Sequence, residues 1–435
     1  MNSILFVSNG HGEDAIGAAL ASEMRRALGC YPAGFPPPCG RAVTAPGVAL
    51  GTAFRTAPGT ALRILALPLV GDGEPYLRAG IPAVHRNMPL PSGGFSVHGL
   101  RRLVGDVKAG LISIVREQAR ALAREVPAAR LTIVVGDVYG LFLTWAFGAR
   151  HTSCPIVFVP TAKSAYISRH FAAEKWFMRK VCRLVLPRDA PTFEELLAYG
   201  IRAGFCGNLM MDAIPPETGE LELAGFDRVI GLLPGSRREA RHNLLDMLDV
   251  VVAIHKETHG TWKGGGHDGY GFVAALAHGF DIEAFCREAA SKGWQMAGYR
   301  NSRWPVIRFG GDGPAAGGPA VILTTGIFGD VVARADIFIG LAGTANEQAC
   351  GMGRPVVTFP GRGPQFSRSF AVRQRRLLGD AVFLCERSPG KVAGAVLSIL
   401  NDPGRYRMMA EAGRSRMWGP GATGRACELI MKILS

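Results

Sequence analysis

Residues 232–243 read LLPGSRREARHN: two leucines run into Pro-Gly-Ser, and three arginines and a histidine follow within seven residues. A buried strand that ends in such a turn before a helix places backbone N–H groups and the positive helix end at the carboxyl edge of a sheet. That is a ready anion site. Arg237, immediately after Ser236, supplies the planar charged fork that suits a phosphate. An ordinary turn with solvated arginines is the plain alternative, and a lone Pro-Gly-Ser-Arg does not decide between them. A second strand-to-helix turn does more. In IGLAGTANEQACGMGRPVVTFPG (339–361), Gly343 and Thr344 make a tight turn with a hydroxyl. Glu347 falls in the first helical turn, where a carboxylate can accept hydrogen bonds from two vicinal hydroxyls, although an acidic helix start is also common capping. A phosphate cradle and a diol acceptor on neighbouring β-α turns define a nucleoside-diphosphate site.

The surrounding pattern is strand alternating with helix, which predicts parallel, doubly wound sheets. SILFVSN (3–9), ALRILALPLV (61–70), LTIVVG (131–136), CPIVFVP (154–160) and RLVLP (183–187) read as buried strands, with helices over 11–28 and about 106–124. A second series repeats the pattern with RVIGLLPG, a helix over about 238–255, AVILTT, ADIFIGLAG, a helix over 345–352 and PVVTFPG. The expected organisation is an N-terminal Rossmann-like domain over 1–211, an acidic linker containing Pro-Pro over 212–227, a C-terminal Rossmann-like domain over 228–403, and C-terminal helices over 404–435 that return toward the N-terminal domain. Residues 30–60 are rich in Pro and Gly, and 256–272 (KETHGTWKGGGHDGYGF) read as an exposed, mobile excursion whose His259 and His267 are surface residues.

With 435 residues the chain has room for two or three domains. Its net charge of +14 points to a partner carrying negative charge, unless it reflects only an arginine-favouring genome. Nucleic acid is disfavoured, because the aromatic and glycine patterns of single-strand binders are missing. Nine cysteines without a CxxC fit a reducing compartment. The N-terminus lacks the pattern of a signal peptide. The stretch 131–149 has the length of a membrane span but carries Gly136 and Asp137 near its middle, so strand, turn and helix explain it better. The expectation is a soluble or peripheral protein.

SNGHGED (8–14), LPLVGDGEPYLRAGIP (67–82), LPSGGF (90–95), CGNLMMD (206–212), LLPGSRREA (232–240) and LAGTANEQACGMGRPVVTFPGRGPQ (341–365) occur in order along nearly the whole chain. Together they resemble the lipid-A-disaccharide synthase-related family of GT-B glycosyltransferases. The resemblance implies two Rossmann-like domains facing across a cleft, with a UDP-sugar held by the C-terminal domain and a lipid-linked acceptor by the N-terminal one. It assigns Gly235, Ser236 and Arg237 to the diphosphate side. Gly343, Thr344, Ala345, Glu347 and Gln348 fall to the donor loop and ribose, and Pro364 and Gln365 to a loop lining the cleft. On the acceptor side lie Asn9, Gly10, Gly12, Glu13 and Asp14. The activity implied is transfer of an N-acetylglucosamine-type or acylated glucosamine unit, at the inner face of the cytoplasmic membrane. Neither a cofactor nor a metal is expected, since no Asp-x-Asp stands near a strand end.

The base belongs on the acceptor side. Asp137 matches the position of the synthase's essential aspartate, and an acid in an apolar stretch would have a raised pKa, but the residue could instead serve as a helix N-cap. His11 is the other candidate, and Glu13 and Asp14 could equally complement the helix dipole. A nucleotide-sugar epimerase or hydrolase on the same fold, or a non-catalytic binding protein, would share the donor turns. Residues 168–185 (SRHFAAEKWFMRKVCRLV) read as a helix with Phe171, Phe177, Met178, Val181 and Cys182 on one face. Arg169, Lys175, Arg179, Lys180, Arg183 and Trp176 lie on the other, a pattern suited to an anionic membrane surface.

Overall fold

The computed structural model describes residues 3–29, 62–70, 72–84, 111–223, 225–258, 269–310, 318–363 and 366–434. The expected loop over 30–60, the LPSGGF motif, His259 and His267, and the start of the expected helix at 106–110 lie outside them. The chain divides into two compact units, Met1–Ala213 with Pro420–Ser435, and Ile214–Gly419.

In the first unit, five parallel strands run in the order β2-β1-β3-β4-β5, being β1 (Ser3–Ser8), β2 (Arg63–Pro68), β3 (Leu131–Gly136), β4 (Ile156–Pro160) and β5 (Leu184–Val185). The strands β3 and β4 are buried at every position, as apolar runs without alternation require when helices cover both faces of a parallel sheet. The helices are α1 (His11–Ala27), α2 (Glu74–Arg78), α3 (Leu111–Ala128), α4 (Val138–Thr144, continued by a π turn over Trp145–Ala149), α5 (Ala172–Val181) and α6 (Ala190–Ala198). The 131–149 stretch is thus strand, turn and helix, and no described helix is long and apolar enough to cross a membrane.

The second unit carries eight strands in the order β13-β12-β11-β6-β7-β10-β9-β8. The parallel part comprises β6 (Arg228–Leu233), β7 (Tyr270–Leu276), β10 (Ala320–Thr325), β11 (Ile337–Gly340), β12 (Val356–Thr358) and β13 (Val382–Leu384). Added antiparallel at one edge is a hairpin of β8 (Trp294–Arg300) and β9 (Trp304–Phe309). Asn301 and Ser302, with φ of 52° and 54°, give its turn the left-handed backbone that matches strand twist. The sequence reading missed this hairpin. Helices α7 (Ala240–Thr258), α8 (Ile282–Ala290), α9 (Phe328–Arg334), α10 (Thr344–Gly351), α11 (Arg368–Leu378), α12 (Pro389–Leu400) and α13 (Pro403–Met417) complete the unit.

Three segments differ from expectation. Residues 214–223 and 225–227 belong to the second unit: Leu221 is fully buried, and Asp330 of α9 accepts hydrogen bonds from the amides of Thr218 (2.9 Å) and Gly219 (2.8 Å). A polar composition hid this anchor, which Leu223, also buried, shares. Residues 270–272, read as part of an excursion, form the start of β7, with Gly271 packed where a Cβ would stand 2.6 Å from the Phe226 ring. Of the two C-terminal helices, α13 packs in the second unit, and only α14 (Ala422–Leu434) belongs to the first.

Candidate functional site

In the second unit, β6 lies between β11 and β7, so the chain connections diverge on either side of β6. Ligands of open α/β sheets bind at the carboxyl ends of strands at such a switch. A cavity of about 450 Å³ opens there, lined by the turn after β6, the turn after β11, and the side chains of Leu276, Phe328, Phe366 and Phe370. Gly235 has φ +94°, and a Cβ on it would stand 3.1 Å from the Leu341 carbonyl oxygen, so only glycine lets the two turns approach. The Leu341 amide donates to the Leu233 carbonyl at 2.8 Å, tying the strand ends together.

The cavity brings together Gly235, Ser236, Arg237, Gly343, Thr344, Ala345 and Gln348. Arg237 is exposed and makes no ion pair among the described residues. Glu347 stands half-buried in the first turn of α10 and is not among the lining residues. Pro364 and Gln365 lie outside the described residues, although Phe366 beside them lines the cavity.

Sequence reading missed the scaffold beneath these turns. Asn243 donates to the Pro234 carbonyl at 3.0 Å, and its buried Oδ1, at the cavity wall, has no partner among the described residues. Asn346 donates to the Gly340 carbonyl (3.1 Å) and to Gln374 Oε1 (2.9 Å), while Gln374 Nε2 donates to the carbonyls of Ala342 (3.0 Å) and Gly343 (3.1 Å). Thr358 donates to the Gly340 carbonyl at 2.6 Å. Asn243 and Asn346 stood inside the quoted motifs. Gln374 comes from α11 and carries no local signal.

In the first unit, β1 is the strand at the switch, flanked by β2 and β3. Asn9, just past β1, donates from Nδ2 to Asp137 Oδ1 at 2.6 Å, and the Asp137 amide donates back to Asn9 Oδ1 at 3.3 Å. Asp137 also accepts from the Gly140 amide at 3.0 Å, so it caps α4 while remaining only partly buried. Gly136, at φ +146°, leaves room for Asn9, whose Oδ1 would lie 1.7 Å from a Cβ. His11 is exposed at the start of α1, and a Cβ on the exposed Gly12 would meet nothing within 4 Å. Glu13 folds back over Gly10 and accepts from Thr161 Oγ1 at 3.1 Å, joining α1 to the end of β4.

Asp14 does not sit at the surface as a helix-dipole residue. It is fully buried, accepting from Ser8 Oγ at 2.6 Å, and the Tyr76 hydroxyl donates to Ser8 Oγ at 3.2 Å. Burial pushes its pKa up to about 7, opposed by the Ser8 hydrogen bond and reinforced by Glu13 and Asp72. Burial likewise pushes the Tyr76 hydroxyl up, with Asp14 adding to it. His11, Asp14 and Asp72 offer three potential metal-ligand atoms within 4.8 Å of one another. Both carboxylates already have partners inside the fold: Asp14 in Ser8, and Asp72 in the Glu74 amide at 3.1 Å.

The basic helix is shorter than expected. Phe171 is its N-cap and 68% exposed, so it leaves the apolar face, and the Lys163 ammonium sits 3.8 Å over its ring. Lys175 and Arg169 pair with Glu195 (2.9 and 3.7 Å), which removes both from the free basic set. Trp176 is 52% exposed, with Lys180 5.1 Å from its ring. Phe177 packs on Phe142 (6.0 Å) and Trp145 (5.4 Å), and Tyr139, Phe142 and Phe147 of the adjoining segment are also exposed.

No family model matches the chain, and no curated protein matches it. Solved structures do. A putative UDP-N-acetylglucosamine 2-epimerase from Listeria monocytogenes aligns with a TM-score of 0.58 at 12% identity over 99% of this chain and 96% of its own. MurG of Acinetobacter baumannii aligns at 0.54 and 14% identity, over 99% and 100%. The calicheamicin glycosyltransferase CalG4 aligns at 0.55 and 14% identity, over 100% and 98%. The class these likenesses define is the GT-B fold, with two Rossmann-like domains.

Proposed function

We propose that this protein is a glycosyltransferase of the lipid-A-disaccharide synthase-related kind. It moves a glucosamine-type sugar from a UDP-sugar to a lipid-linked acceptor at the cytoplasmic face of a membrane. The observation that carries the donor half is the cavity in which the turn after β6 and the turn after β11 meet, with Gly235, Ser236 and Arg237 on one side and Gly343, Thr344 and Gln348 on the other. A diphosphate seated there meets the backbone amides of the turn before α7 and the Arg237 guanidinium, which neutralise the charge that develops as UDP departs. The donor chemistry is supported by the neighbours' own names: one is a complex of Staphylococcus aureus MnaA with UDP, and another a Neisseria meningitidis epimerase with UDP-GlcNAc. No cofactor is required for this transfer, with the UDP-sugar as co-substrate.

The acceptor hydroxyl loses its proton to Asp137, whose Oδ1 is held by Asn9 and Gly140. His11, exposed at the neighbouring strand end, is the alternative base. The lipid half is supported by the exposed Trp176 with Lys180 over its ring, by the exposed Arg179 and Arg183, and by the exposed aromatics Tyr139, Phe142 and Phe147 of the segment that packs on Phe177. Aromatic and basic side chains suit the headgroup region of an anionic membrane.

A nucleotide-sugar epimerase is the second reading, favoured by the epimerases among the structural neighbours. One experiment separates them. A panel of nucleotide sugars is screened by thermal shift on the wild type, Arg237→Ala and Glu347→Ala, and the stabilising sugar is then incubated with and without lipid acceptors. A UDP-sugar that raises the melting temperature of the wild type alone supports the donor site. Lipid-dependent release of UDP supports the transferase, and an isomerised sugar formed without acceptor supports the epimerase. If no nucleotide sugar shifts the wild type at millimolar concentration, the donor assignment is wrong.

A further inference from the structure

At the opposite edge of the first unit's sheet, where β4 and β5 begin, a cleft of about 700 Å³ is lined by Arg179, Lys180, Arg183 and Arg202, with Ser153 beside them. No carboxylate lines it among the described residues. The other cations around α5 are paired. Lys175 and Arg169 are taken by Glu195, and Lys163 by Glu174 at 2.7 Å. The four cations of the cleft make no ion pair among the described residues. Arg179 and Lys180 only lie over the rings of Tyr199 (5.8 Å) and Trp176 (5.1 Å).

The carboxyl end of α5 explains part of this, since cations there complement the helix dipole. It does not explain Arg183 and Arg202. The Arg183 amide donates to the Ile156 carbonyl at 2.7 Å, and the Arg202 carbonyl accepts from the Val185 amide at 2.9 Å. These bonds fix both residues on either side of β5, outside any helix. Four like charges gathered around one concavity repel each other, and no carboxylate among the described residues lines it to offset them.

We infer that this cleft binds a phosphate-bearing anion. Three guanidinium forks and an ammonium are the donor set that phosphate oxygens recognise, and the volume falls in the range of small-ligand sites. The anion is either a soluble phosphate or the headgroup of an anionic lipid, for which the exposed Trp176 indole provides an interfacial neighbour. The inference shares three cations with the proposed membrane helix. It requires no sugar transfer, because every lining residue belongs to the first unit.

The test uses the full chain with two probes, inorganic pyrophosphate followed by calorimetry and phosphatidylglycerol vesicles followed by sedimentation. Each is run on the wild type, on Arg183→Glu/Arg202→Glu, and on Arg237→Ala, which removes the pyrophosphate component belonging to the second unit. The expected result is at least a roughly tenfold loss of affinity in the double variant, from about one kcal/mol per cation near an anionic surface, while binding at the first-unit cleft is retained in Arg237→Ala. Loss with both probes identifies a site that accepts soluble phosphate, and loss with vesicles alone identifies a headgroup site. Circular dichroism confirms that the double variant is folded, and the UDP-sugar thermal shift reports separately on the donor assignment. Equal affinities of the wild type and double variant for both probes, or no binding of either by the wild type, would overturn the inference.

Discussion

Asp137 caps a helix, and the base role proposed for it can be separated from that by substitution. It caps α4 through the Gly140 amide and is held by Asn9 Nδ2, both on Oδ1. Asparagine keeps an acceptor oxygen at that position but cannot take a proton. Asp137→Asn is therefore expected to retain the wild-type melting temperature while turnover falls on the order of 10²- to 10⁴-fold, measured as UDP release. Asp137→Ala also loses the cap, at about 1 kcal/mol of stability. Should Asp137→Asn keep full turnover, His11 becomes the base.

Asp14 makes a prediction of the opposite kind. Its carboxyl titrates at about 7 in the fold against an ordinary value of 3.8, so the folded state holds a proton that the unfolded chain releases. Stability contributed by that proton is complete below about pH 4 and is lost as pH rises through about 7. The groups facing it are Ser8, Tyr76, Glu13 and Asp72, with His11 close by. Asp14→Asn keeps an acceptor for Ser8 and is expected to flatten this slope, leaving the variant more stable than the wild type at about pH 8. Parallel dependences of melting temperature on pH in the two proteins would contradict the assignment.

At the scale of elements, the turn after β11 depends on how closely α13 approaches α10. A Cβ on Gly413 of α13 would stand 2.1 Å from the Cys350 carbonyl oxygen of α10, a backbone atom that cannot swing aside. Gly413→Ala should thus push the helices apart at a cost of roughly 1–3 kcal/mol, outweighing the better helix propensity of alanine. Because α10 carries Thr344 and Gln348 into the cavity, the same variant is expected to weaken UDP-sugar binding. Chemical denaturation and the nucleotide titration measure the two effects. Unchanged stability would mean that α13 can shift freely.

At the scale of the whole molecule, the last helix returns to close the unit in which the chain began. Asp212 accepts from the amides of Gly421 (2.5 Å) and Thr423 (2.6 Å), Arg425 donates to the Cys206 carbonyl (2.8 Å), and Arg130 donates to the Leu434 carbonyl (2.9 Å). Ala426, Cys427, Ile430 and Leu434 of α14 are buried within the first unit. Truncation after Gly419 removes these contacts from the first unit alone. Calorimetry of the truncated chain is expected to show an early transition for that unit beside an unshifted one for the second, while a single unshifted transition would show α14 to be dispensable.

Strands made of unbroken apolar runs such as ILFV, TIVV and IVFV were legible in the sequence, because such runs have only one use in a doubly wound sheet, whereas β7, the β8–β9 hairpin and β13 were not read. The two glycine turns were legible as well, since Gly235 and Gly343 sit at fixed offsets from strand ends. Chain-distant partners were not. Gln374 reaches the turn after β11 from another helix, and Leu221 and Leu223 anchor a segment of otherwise mostly polar composition. Helical spacing over 168–185 places Phe171 on the apolar face, but spacing does not locate a helix end, which capping sets through Glu174 accepting from the Phe171 amide at 3.0 Å. Asp14 and Asp137 carry the same chemistry in sequence. Only tertiary packing buries one on Ser8 beneath Tyr76 and leaves the other half-open at a strand end, because desolvation depends on what the rest of the chain stacks around a carboxyl group.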